Sequence, residues 1–173
     1  YFKRYYVTNE YGLSMECEAR KCTAPNLGHA MYEYCNFIHT DMEDIKKGRV
    51  TPNWIDDLQE NEVFVFGSNL AGMHGGGAAR IAHRRFGAIM GKGVGMQGRS
   101  YAIPTMQGGT ETIRPYVDDF IAYAKEHPEM TFLVTPIGCG IAGFEPEDIA
   151  PLFKEACNVS NICLPECFWK ELD

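Results

Sequence analysis

Two stretches of β-prone apolar residues run straight into glycine-rich turns: residues 63–66 enter GSNLAGMHGGGAAR, and residues 131–137 enter GCGIAGF. In each case a helix is expected to follow, and that order constrains the chain to an α/β design. Glycine lets a backbone approach a ligand closely, and the amides that open a helix point outward with a partial positive charge. Such a turn can hold an anion without a lysine. Two of them predict a ligand with two phosphates.

The 173 residues, 45% apolar and 23% charged, suffice for one full hydrophobic core. No stretch approaches the roughly 20 apolar residues of a membrane span, and no cationic segment followed by an apolar one marks a secretory signal. The first residue is Tyr1 rather than methionine, so a trimmed amino terminus is expected. Seven cysteines, an odd number in unlike contexts, fit reduced thiols better than a disulfide framework and point to the cytoplasm. The gaps between Cys17, Cys22, His29, Cys35 and His39 match no paired zinc knuckle, so no metal is expected. With a net charge of −7 and scattered basic residues, neither nucleic acid nor membrane is an expected partner. The small knot of Arg80, His83, Arg84 and Arg85 reads as the solvated face of a helix.

Residues 1–8 and 13–20 read as a hairpin turning at 9–12. Over residues 26–47, Leu27, Met31, Tyr34, Ile38, Met42 and Ile45 recur at helical spacing, and Gly48 stands where the helix would stop. Thr51 before Pro52 resembles a cap with a first-turn proline, predicting a short helix to Leu58. Strands are then expected at 63–66, 100–104, 132–137 and 161–164. Helices are expected at 75–86, 113–127 and 146–156. Strands alternating with helices require a mixed, largely parallel sheet covered on both faces. Residues 1–50 are expected to form an extension docked on a main domain over 51–173. In such sheets ligands bind at the carboxyl ends of the strands, so both glycine turns are expected to face one pocket. Gly93, Gly95 and Gly98 formally spell GxGxxG, but a strand follows rather than a helix, so no dinucleotide fold is expected.

The spacing of Asn69, Gly75 to Gly77 and His83, then Gly98, Tyr101 and Pro104, then IGCGIAGF ending at Phe144, resembles the ordered motif blocks of the macro domains. These bind ADP-ribose and its relatives. The resemblance covers about residues 62–165 and implies a three-layer α/β/α macro-like fold. It implies a ligand, ADP-ribose or another NAD-derived nucleotide, free or attached to a macromolecule, with no cofactor required. The chain departs from the family pattern where Phe66 replaces an asparagine, Arg49 stands in GRVT in place of the adenine-reading acid, and Ala79 replaces the aspartate of many macro hydrolases.

The resemblance implies a ligand-binding set of Gly67, Ser68, Asn69, His74, Gly75, Gly76, Gly77 and Ala78 in the first turn. In the second it implies Gly138, Cys139, Gly140, Ile141, Ala142, Gly143 and Phe144. Asn69 would hydrogen-bond ribose, the glycine amides would wrap the phosphates, and Phe144 would pack on the distal ribose. As a hydrolase of ADP-ribosyl linkages or ADP-ribose phosphoesters, the protein would rely on Asn69 and His74 to orient water, the imidazole suiting a general base near neutral pH. Cys139, between two glycines at a helix-like turn that would stabilise a thiolate and lower its pKa, reads as a small packing residue, with a nucleophile as the alternative. An interaction scaffold with purely structural glycines is the third reading.

Overall fold

The computed structural model describes residues 3–8, 14–19 and 48–172. The chain divides into two compact units, residues 1–48 and 49–173. In the first, β1 (Lys3–Thr8) and β2 (Ser14–Ala19) pair antiparallel, Lys3 opposite Ala19 and Thr8 opposite Ser14. The helix expected over 26–47 and the Cys22–His39 group lie outside the described residues, as does the side chain of Cys17. Among the described residues no helix is long and apolar enough to cross a membrane.

The second unit is an α/β structure on a six-stranded mixed sheet. Its strands are β3 (Val50–Thr51), β4 (Glu62–Ser68), β5 (Gly95–Gln97), β6 (Ser100–Pro104), β7 (Thr131–Val134) and β8 (Ile162–Pro165). The order is β3-β8-β7-β4-β6-β5, parallel throughout except for β5, which runs antiparallel to β6. The helices are α1 (Gly77–Arg85), α2 (Thr110–Glu126), α3 (Pro146–Ile149), a 3₁₀ stretch (Ala150–Asn158) and α4 (Glu166–Glu171).

Strand alternation sends each strand's side chains to two faces, and both are covered. On one, Phe64, Phe66, Ala102, Leu133 and Cys163 pack with Ala79 and Ala82 of α1 and with Phe86. On the other, Phe120 of α2 meets Tyr101 and Phe132 at ring separations of 5.1 and 5.5 Å. Helix α2 forms because Ile113, Val117, Phe120, Ile121 and Ala124 recur on one stripe, all buried. Each large apolar side chain there contributes about 2 kcal/mol of burial.

Several elements differ from the sequence reading. Residues 51–58 are not helical: Thr51 is 3% exposed and pairs with Pro165 in the sheet. The long-range pairing of two β-branched residues, Val50 and Thr51, overrides the local resemblance to a cap. Strand β7 ends at Val134, before the Thr135–Pro136 step, instead of at 137. The helix expected at 146–156 is one α turn followed by 3₁₀, because Pro151 has no N–H for an α-helical bond. The second glycine turn thus leads, through the N-cap Glu145, into a helix of a single α turn. Strand β5 and helix α4 carry too few residues to show a period.

Candidate functional site

Strands β4 and β7 are hydrogen-bonded neighbours whose carboxyl ends lie at one edge of the sheet. The turns that leave them come into contact. A Cβ built on Gly76 would lie 3.0 Å from Cδ1 of Ile141, and one on Gly67 would lie 3.4 Å from the Gly138 nitrogen. Between the turns is a cleft of about 190 Å³. It is lined from the first turn by Gly67, Ser68, Asn69, Met73, Gly76, Gly77, Ala78 and Ala79, and from the second by Pro136, Ile137, Gly138, Gly140, Ile141 and Ala142. Thr105, Met106 and Thr135 complete the wall.

The cleft's polar character comes from the main chain. Among the described residues, the cleft-lining amides of Gly76 ahead of α1, and of Gly138, Gly140, Ile141 and Ala142 in the second turn, donate no internal hydrogen bond, and neither does that of Gly75, which lies off the cleft wall. The first amides of α1, from Gly77 and Ala78, belong to a helix start and have no intrahelical acceptor. Gly76 is the N-cap without a side-chain cap, so nothing among the described residues satisfies them. This is an amide-rich, positively polarised concavity that suits an anion.

Three residues of the expected set spend their amides within the turn itself. The amide of Cys139 donates to Pro136, that of Gly143 to Gly140 and that of Phe144 to Gly138, at 3.2, 3.0 and 2.9 Å. None of the three lines the cleft. The Phe144 ring packs instead beside Gly138, where its Cδ2 would be 3.4 Å from an added Cβ. The surroundings of the Cys139 thiol disfavour its thiolate. Burial, then the neighbouring Cys167, Glu145 and Asp148, push its thiol up to about 11, against the lowered value the sequence position suggested.

His74 is corrected as well. It is 1% exposed, and its Nε2 hydrogen-bonds the carbonyls of Ile89 and Lys92 at 2.9 and 3.1 Å. Its ring meets Phe66 edge-on at 5.3 Å. The imidazole pins the 89–92 loop and does not line the cleft, so it cannot reach a substrate water there. Asn69 does line it and also closes its own turn, since its Nδ2 donates to the Met73 carbonyl and its Oδ1 accepts from the Met73 amide. One N–H and one lone pair remain for a ligand. Ser68, 4% exposed, donates its hydroxyl to the Gly93 carbonyl and so braces the turn. None of the residues lining the cleft is ionisable.

Sequence reasoning missed Met73, Ala79 and Ile137 beside the turns, and Thr105, Met106, Thr135 and Pro136, as wall residues. The last four arrive through topology: Ser68 at the end of β4 is in register with Pro104 at the end of β6. The Thr135 hydroxyl donates to the Val65 carbonyl at 2.7 Å. Arg49, standing where the resemblance places an adenine-reading acid, is 8% exposed and donates to the carbonyls of Ile162, Cys157 and Ala156. It is a structural clamp. No protein-family model matches the chain, and neither does any curated protein or solved structure.

Proposed function

We propose that the protein binds ADP-ribose or a related NAD-derived nucleotide, free or carried on a macromolecule, in the cleft between the two glycine turns. The observation that carries this reading is the set of unsatisfied amides from two adjacent strand tips, bordering one cleft. Amide N–H groups hydrogen-bond phosphate oxygens strongly, and a diphosphate can engage both rows at once. Asn69 supplies the remaining donor and acceptor for a ribose. The six-stranded mixed sheet with helices on both faces is in keeping with the macro-like fold that the motif blocks imply, and we read the architecture that way.

Binding without turnover is the favoured form, because the cleft wall holds no acid or base to move a proton. Calorimetry with free ADP-ribose tests the reading. Saturable heat is expected, and silence at millimolar ligand would overturn it. Incubation with ADP-ribosylated protein should release no ADP-ribose above the uncatalysed rate, and multiple turnovers would restore the hydrolase reading.

A further inference from the structure

Beside the cleft is a second hollow of about 700 Å³, walled by Trp54, Arg80, Ile81, Arg84 and Arg85 among others. Gly77, Ala78, Thr135 and Pro136 line both, so the two adjoin across these residues. The cleft, at about 190 Å³, falls below the roughly 300–1,000 Å³ of pockets that enclose whole small molecules. Any ligand of dinucleotide size must extend beyond it. The hollow is the adjoining space.

Its chemistry differs from the cleft's. Arg80 and Arg84 stand one helical turn apart on α1, both exposed, and among the described residues neither donates a hydrogen bond through its side chain nor pairs with a carboxylate. Arg85 is different, since it lies 3.6 Å from Asp56 and donates to the Asp56 carbonyl. Trp54 is 74% exposed, and its indole N–H is tied to Asp56 at 2.7 Å, which holds the ring while leaving most of its surface open. The wall also contains the buried Thr51 hydroxyl, which has no hydrogen-bond partner among the described residues. An open indole offers stacking to a flat base, and two free guanidinium groups offer paired donors to a phosphate. The amide rows of the cleft already serve the diphosphate. The arginines therefore match a further anion on the same ligand.

We infer that Arg80 and Arg84 hold a phosphomonoester on the base-bearing sugar, so that the protein prefers a nucleotide carrying this extra phosphate to one without it. This rests on the nucleotide reading above. Calorimetry of the full chain with ADP-ribose and with ADP-ribose 2′-phosphate, at low and high salt, tests it. The 2′-phosphate is expected to bind about tenfold tighter or better at low salt, with the advantage shrinking as salt rises. In Arg80→Gln and Arg84→Gln, exposed positions whose folding is checked by circular dichroism, the advantage should drop to about twofold or less. Equal affinity for the two ligands, or an advantage that survives both substitutions, overturns the inference and leaves the nucleotide reading standing. Heat from neither ligand overturns both.

Discussion

Gly140 and Gly75 have neither a positive φ nor any protein atom within 4 Å of where a Cβ would stand. The fold does not require glycine at either place. Gly93 is the opposite case, since its Cβ would lie 2.1 Å from the Asn69 carbonyl oxygen. Gly140 lines the cleft, so a methyl there would occupy space that only a ligand needs. Gly140→Ala should change folding stability by no more than about 1 kcal/mol, on the stabilising side, because alanine restricts the unfolded chain. The same change should weaken ADP-ribose about tenfold or more by steric exclusion from the amide row. Urea titration and calorimetry on one sample separate the two effects, and unchanged affinity would show that the ligand does not approach this turn. Cys139 gives a second prediction. Between the ordinary thiol value and about 11 the folded chain keeps a proton that the unfolded chain has released, so this group's contribution to stability falls as pH rises through that window. Alkylation at Cys139, followed by peptide mass mapping, should be negligible at neutral pH and climb only toward pH 11. Rapid modification at neutral pH would contradict the half-buried, acid-flanked environment.

The elements that were legible in the sequence are those whose local pattern and tertiary role agree. Helix α2 could be read from Val117, Phe120, Ile121 and Ala124, and strands β4 and β7 from their unbroken apolar runs, which burial on both faces demands. Strand β3 could not, because two residues have no period and their pairing, Val50 with Leu164, spans most of the unit. The clamp that holds this edge was equally hidden. The Arg49 guanidinium donates to Ala156 and Cys157 at the carboxyl end of the 3₁₀ stretch and to Ile162 of β8, while the Trp169 indole donates back to the Arg49 carbonyl at 3.0 Å. Its charge also sits 5.2 Å from the Trp169 ring centre, over an element end that favours a cation. Arg49→Met would remove one donor from each of three carbonyls, of which that of Ala156 keeps the Val159 amide, and should cost about 2–4 kcal/mol in urea titration. Arg49→Lys should recover only part of that, since a single ammonium cannot reproduce the planar fork. A loss below about 0.5 kcal/mol would show that water replaces the clamp.

At the scale of the whole molecule, the site is legible to the extent that it is made of backbone. Glycine turns after apolar strands announce themselves, and the structure brings ten of the fifteen expected ligand-binding residues to the cleft wall. Of the five it does not, His74 and Cys139 are held by partners that the motif does not contain, the amides of Gly143 and Phe144 close the second turn on itself, and Gly75 stands off the cleft wall. His74, for example, is held by carbonyls 15 and 18 residues further along the chain. Because the cleft exists only when β4 and β7 are paired, any ligand bound there favours the folded state over the unfolded chain. Linkage sets the size: at a hundred times the dissociation constant the stabilisation is about 2.7 kcal/mol, a rise of about 10 °C in melting temperature for a unit of this length. If Gly140→Ala weakens binding about tenfold, the same ligand concentration should stabilise the variant by only about 1.4 kcal/mol, roughly half the shift. Differential scanning calorimetry with and without ADP-ribose reads both values. An equal shift in the two proteins would mean that the nucleotide is held somewhere other than between the glycine turns.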